Sequence, residues 1–144
     1  MGRVQVAVHG KHAICEIWGA DPALLDDLDY MRNTMRDAAH LARANIRSEA
    51  WEKFEPQGLT GVLVLSESHL TVHTYPEYGY AAVDCFTCGR DCDPLAACAH
   101  LVDRLGESCY GVVVYLPRPA DGRSLRVGRL SKDQGKVVFH AHSV

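Results

Sequence analysis

The chain has 144 residues, a 47% apolar and 23% charged composition, and a formal charge of −3. That length suits one domain able to bury roughly two thirds of its unfolded surface, and it leaves no room for a second full domain. So weak a net charge gives no global attraction to nucleic acid or to an acidic membrane surface, and neither is expected as a partner.

The opening MGRVQVAVHGKHAIC lacks the long apolar run of a signal peptide, and no later segment approaches the ~20 apolar residues needed to cross a bilayer. A cytoplasmic protein is expected, whose six cysteines stay reduced rather than pairing. HAICEIW at 12–18 reads as a strand, and Asp21-Pro22 then supplies a helix N-cap followed by the proline favoured at the first helical position. Leu24, Leu25, Leu28, Met31, Met35, Ala38, Ala39 and Ala42 recur at helical spacing, predicting one helix to about Ala44 with its apolar stripe on a sheet.

Strands are predicted over 46–54, 61–66 and 69–75, with a turn at Pro56-Gln57-Gly58, and the run YAAVDCF after Pro76-Glu77-Tyr78-Gly79 predicts another. Asp93-Pro94 repeats the helix-start signal, and the helix it opens is expected to end near Gly106. YGVVVYL at 110–116 and KVVFH at 136–140 complete the strands. The basic segment between them, with Arg118, Arg123, Arg126, Arg129, Lys132 and Lys136, reads as a solvated hairpin, with a phosphate-binding surface as the lesser alternative. Consecutive strands lying together between helices favour an α+β two-layer sandwich, a mostly antiparallel sheet packed against two helices, over a parallel α/β fold.

Residues 65–89, LSESHLTVHTYPEYGYAAVDCFTCG, concentrate Glu67, Ser68, His69, His73, Glu77, Asp84, Cys85 and Cys88 within about two dozen positions. Alternation from Ser66 to Tyr75 suits any antiparallel sheet with one wet face. Three chemical readings compete with that bland one. Cys85, Cys88 and Cys92 could bind a metal with His100 or a nearby histidine as fourth ligand, although their spacing lacks the second ligand pair of a structural zinc site. Ser68 or Cys88 could serve as a nucleophile beside a histidine, although Ser68 lacks the glycine-flanked elbow of a hydrolase. Ser68 could instead attack the carbonyl of its own Glu67–Ser68 peptide, turning amide into ester; eliminating that ester leaves dehydroalanine, which hydrolyses to a pyruvoyl group.

Over GKHAICEIWGADPALLDDLDYMRNTMRDAAHLA, FEPQGLTGVLVLSESHL, the stretch above and DPLAACAHL, about three quarters of the chain, the sequence resembles the prokaryotic S-adenosylmethionine decarboxylases, which cleave themselves at Glu-Ser. The resemblance implies a single domain over 1–144, scission at Glu67–Ser68, a β chain of residues 1–67, and an α chain of 68–144 carrying Ser68 as the pyruvoyl cofactor. It implies that His73 accepts a proton during processing, that Thr60 assists with its hydroxyl, and that Cys88 returns a proton to the substrate carbon after carbon dioxide leaves. It also implies a Schiff base with S-adenosylmethionine, no metal, Phe54 and Tyr75 flanking the adenine and facing the sulfonium, Glu77 on the ribose hydroxyls, and a homodimer of cleaved αβ units. On a straight strand Ser68 and His73 point to opposite faces, so a turn or bulge is expected near Glu67-Ser68.

Two residues depart from the family pattern. Thr60 stands where the family commonly has serine. Glu55 stands beside Phe54 where relatives often carry a small apolar residue, and its carboxylate could attract a basic amino acid, so a pyruvoyl-dependent arginine or ornithine decarboxylase is the alternative. A noncatalytic binding module would follow if processing failed.

Overall fold

A computed structural model describes residues 10–120 and 122–142. Eight strands form one sheet: β1 (Gly10–Trp18), β2 (Ile46–Lys53), β3 (Leu59–Leu65), β4 (Ser68–Tyr75), β5 (Tyr80–Cys88), β6 (Tyr110–Arg118), β7 (Arg126–Asp133) and β8 (Lys136–Ala141). Their order is β2-β3-β4-β5-β1-β6-β7-β8, and every neighbouring pair is antiparallel. Helices α1 (Pro22–Leu25), α2 (Leu28–Leu41) and α3 (Pro94–Arg104) complete the α+β sandwich.

The helices cover one face of the sheet. Met31, Met35, Ala38 and Ala39 of α2 and Ala97, Cys98, Leu101 and Val102 of α3 are buried against Ala13, Cys15, Ile17, Leu63, Leu70, Val72, Val83 and Cys85 of the central strands. Alternation therefore sends the intervening residues to the uncovered face: His12, Ile14, Glu16 and Trp18 from β1, His69, Thr71, His73 and Tyr75 from β4, and Asp84, Phe86 and Cys88 from β5. This open face carries the chemistry and also a belt of half-exposed apolar side chains, including Ile14, Trp18, Val64 and Val112.

Both Asp-Pro signals open helices as expected. Asp21 accepts from the Ala23 amide, and Asp93 from those of Leu95 and Ala96. The single helix predicted to Ala44 is instead split at Asp26-Asp27. Asp27 begins a new helix by accepting from Tyr30 N–H, while Asp26 turns its carboxylate to Gly58 N–H in the β2–β3 turn. The apolar stripe survives the break because Leu25, Met31, Met35, Ala38, Ala39 and Ala42 all remain buried.

The basic segment holds one strand more than predicted. In β7, Gly128 and Leu130 are buried while Arg126, Arg129 and Asp133 are exposed, a pattern that the density of arginine and lysine disguises. Several of those charges have local work: Arg129 stacks 4.0 Å from the Tyr110 ring centroid, Lys132 Nζ donates to the Gly106 carbonyl at 3.2 Å, and Arg118 donates to His12. Among the described residues no helix is long and apolar enough to cross a membrane.

Candidate active site

Strands β3 and β4 are joined by a two-residue turn, Ser66-Glu67, with Leu65 opposite Ser68 in register. Such tight hairpins favour loop residues with positive φ, usually glycine or asparagine. Here neither loop residue takes one, and the positive angle falls on Ser68, at φ 149°. The expected turn at Glu67-Ser68 is therefore present, and the residue just after the peptide bond holds a backbone conformation that side-chain-bearing residues rarely adopt.

That peptide is clamped. The Glu67 carbonyl accepts the Cys88 backbone N–H at 2.8 Å, and the Glu67 carboxylate accepts the Asn45 backbone N–H at 2.7 Å and its side-chain amide at 3.4 Å. Ser68 Oγ lies 3.2 Å from His69 Nδ1. His69 Nε2 lies 3.0 Å from Asp84 Oδ1, and His12 Nε2 lies 2.7 Å from the same oxygen. Arg118 approaches His12 Nδ1 at 3.2 Å. Phe86 floors the group, its ring centroid 5.3 Å from that of His12 and 6.0 Å from that of His69.

A second group lies farther along the same hairpin. Thr60 and His73 are register partners, and Thr60 Oγ1 meets His73 Nδ1 at 3.0 Å. A cleft of about 230 Å³ gathers Phe54, Thr60, His73, Tyr75 and Glu77, with Glu77 on the 3-10 turn Pro76–Tyr78. Glu55 is exposed and does not line this cleft, which removes the charge argument for a basic amino-acid substrate. Tyr80 donates to Glu16 beside Trp18 and Tyr75; burial and then that carboxylate push its phenol well above its usual range.

The sequence-predicted residues thus fall into two sets, Glu67, Ser68 and Cys88 at one end of β4, and Phe54, Thr60, His73, Tyr75 and Glu77 at the other. His73 lies five residue steps beyond Ser68, about 16 Å of strand. The cysteine set read as a metal candidate divides between faces: Cys85 is buried beneath the helices while Cys88 faces outward, so the pair cannot converge on one ion without breaking the strand. Burial pushes the Cys85 thiol far up, and burial followed by Arg104 lowers the His100 imidazole. The trio His12, His69 and Asp84 has ligand atoms within 4.8 Å of one another, but the Arg118 guanidinium on His12 opposes a cation there.

Residue-by-residue reading missed His12, Asn45 and Arg118, each brought in by strand or loop pairing from far along the chain. His69 and Asp84 lay within the reactive stretch, and pairing β4 with β5 around Tyr78-Gly79 would have placed them on adjacent rows of one face.

Fold and site together define a small α+β protein of enzyme type, with polar groups gathered around the Glu67–Ser68 hairpin peptide and a separate cleft at the other end of β4. A family model described as S-adenosylmethionine decarboxylase matches residues 11–116. An S-adenosylmethionine decarboxylase proenzyme of Geobacillus sp. is 48% identical over 97 residues, covering 67% of this chain and 77% of the relative. A proenzyme 2 of that name from Halalkalibacterium halodurans is 45% identical over 109 residues, 76% of this chain and 85% of its own. The crystal structure of the adenosylmethionine decarboxylase from Aquifex aeolicus superposes with a TM-score of 0.67 at 29% identity, over 75% of this chain and 90% of that one. The chain belongs to the S-adenosylmethionine decarboxylase family, whose members are carbon–carbon lyases.

Proposed function

We propose that this chain is a self-processing decarboxylase of S-adenosylmethionine, the substrate named in its relatives, feeding aminopropyl transfer for spermidine and other polyamines. Cleavage at Glu67–Ser68 yields residues 1–67 and 68–144 and turns Ser68 into the pyruvoyl cofactor. The observation that carries this reading is the Cys88 N–H bound at 2.8 Å to the Glu67 carbonyl, with Ser68 held at φ 149° just beyond it. A donor already on that oxygen stabilises the charge that develops when a hydroxyl adds to the carbonyl carbon. The strained angle on Ser68 raises the ground state of the bond that breaks.

The pyruvoyl carbonyl, once formed, captures the substrate amine and withdraws electrons from the bond to the carboxylate. The residues around Ser68 suit that group. Cys88 faces outward at the end of β5, its main chain bonded to the Glu67 carbonyl, and offers a thiol as a proton donor. Phe54 and Tyr75 flank the cleft as aromatic surfaces for a base and a sulfonium, and Glu77 stands ready to accept from vicinal hydroxyls.

One chain does not complete this site. His73, paired with Thr60, is about 16 Å of strand away from the Ser68 α-proton that it must remove. The cleft of about 230 Å³ is also smaller than the ~300–1,000 Å³ usual for small-molecule sites. A second copy packed on the open sheet face covers Ile14, Trp18, Val64 and Val112 and brings its own Thr60–His73 end to the Ser68 end of the first. Two composite sites result, each with Ser68 and Cys88 from one protomer and the binding cleft from its partner.

The experiment pairs intact mass with carbon dioxide release. Wild-type protein is expected as two fragments releasing carbon dioxide from S-adenosylmethionine in preference to arginine or ornithine. Ser68→Ala is expected as one uncleaved, inactive chain; preference for a basic amino acid would overturn the substrate assignment.

A further inference from the structure

The hydrogen bonds around Ser68 form a chain whose every proton position is fixed by its far end. Arginine can only donate, so the Arg118 guanidinium at 3.2 Å makes His12 Nδ1 an acceptor and leaves the His12 proton on Nε2. That N–H points at Asp84 Oδ1, 2.7 Å away. His69 Nε2 reaches the same oxygen at 3.0 Å, and a carboxylate accepts, so this nitrogen also carries its proton. His69 Nδ1 is then left with a free lone pair, and the group facing it at 3.2 Å is the Ser68 hydroxyl. A nucleophile, an imidazole with its lone pair aimed at that nucleophile, and a carboxylate fixing the imidazole's tautomer are the three functional parts of an activated serine.

We infer that His69 is the catalytic base of the first processing step, with Asp84 as its positioning residue and His12 and Arg118 holding Asp84 in place. The inference rests on the self-cleavage reading and deepens it by naming the group that starts the reaction. Ser68 Oγ bonds to the Glu67 carbonyl carbon as its proton passes to His69 Nδ1, while the Cys88 N–H holds the developing oxyanion. The bond from that carbon to Ser68 N then breaks, and His69 returns the proton to the departing nitrogen. The products are an ester through Oγ and a free amine, with no atom gained or lost and no co-reactant required. His73 is separated from this event by about 16 Å of strand within its own chain, so the two histidines divide the work: His69 makes the ester, and the partner's His73 removes the α-proton that eliminates it.

The four supporting residues come from four strands, β1, β4, β5 and β6, so the arrangement exists only once the sheet is assembled. Activation is thereby tied to folding, and an unfolded chain does not cut itself.

The test separates ester formation from ester elimination. Hydroxylamine cleaves esters readily and peptides poorly, so it reports whether the acyl shift has occurred. Purified His69→Ala precursor is expected to cleave about a hundredfold or more slowly than wild type, in line with the ~10²–10⁴ contribution of general-base catalysis, and to stay intact in hydroxylamine. His73→Ala is expected instead to accumulate a hydroxylamine-sensitive ester. Added imidazole is expected to restore part of the His69→Ala rate, which a purely structural defect does not permit. Cleavage of His69→Ala within threefold of wild type, or a trapped ester in that variant, would overturn the inference. Should His69→Ala not fold, Asp84→Asn carries the test: cleavage at least tenfold slower and without trapped ester is expected, and a wild-type rate refutes it. Wild type assayed alongside separates the two levels, because an uncleaved wild type refutes the self-cleavage reading itself.

Discussion

The backbone N–H of Cys88 and the carbonyl of Glu67 are joined at 2.8 Å, which ties the end of β5 to the turn that opens β4. The residue proposed to reprotonate the substrate therefore also supplies, through its main chain, the donor that polarises the peptide to be cut. Because the contact is made by backbone, Cys88→Ser is expected to retain self-cleavage while decarboxylation falls by about tenfold or more, serine being a far weaker acid than cysteine. Fragment ratios on a denaturing gel beside carbon dioxide release check the split; equal loss of both would place the thiol in processing as well.

The composite site predicts complementation. Ser68→Ala and His73→Ala chains are each expected to remain uncleaved alone. When they are co-expressed, mixed dimers contain one site with Ser68 from the His73→Ala chain and His73 from the Ser68→Ala chain. Cleavage of the His73→Ala chain, distinguishable by a mass tag, is the expected outcome. Absence of cleavage in demonstrated mixed dimers would mean that His73 acts within its own chain or not at all.

Binding and processing are expected to separate at the cleft. Glu77 and Phe54 line it with His73, but neither touches Ser68, Glu67 or Cys88. Glu77→Gln is expected to raise KM about tenfold or more, the loss typical of a charged hydrogen bond, with the cleavage rate unchanged. Steady-state kinetics on fully processed enzyme checks this, and an unchanged KM would remove Glu77 from the ribose.

Much of the fold was legible because its signals are local. The Asp21-Pro22 and Asp93-Pro94 caps and the apolar stripe of α2 announce themselves within a few residues, as does the Gly79 turn between β4 and β5. The break at Asp26-Asp27 was hidden because both aspartates fit a helix surface; Gly58, more than thirty residues on, captures Asp26. Strand β7 was hidden because its four charged residues outnumber its two buried ones. Of the proposed site residues, Glu67, Ser68, His73 and Cys88 came from the resemblance. The order of His12, Asp84 and His69 around one oxygen depends on placing β1 between β5 and β6, which no local pattern encodes.

Alkaline pH is expected to weaken the fold. Burial raises the thiols of Cys85 and Cys109 above their ordinary value of 9.0, Cys109 to about 11. Unfolding returns them to that ordinary value, so above about pH 9 the unfolded chain sheds protons that the folded chain retains. Stability is therefore full below that pH and falls as pH rises toward 11. The urea midpoint at fixed protein concentration is expected to drop between pH 7.5 and 10; a constant or rising midpoint would contradict the burial of these thiols.

The intact mass of freshly purified, folded wild-type protein bears most directly on the proposed chemistry. Two species are expected in place of one chain of 15.9 kDa: residues 1–67 with an ordinary C-terminal carboxylate, and residues 68–144 beginning in a ketone and lacking a free α-amine. A single unbroken chain that retains Ser68, in protein whose circular dichroism and melting show it folded, would contradict it.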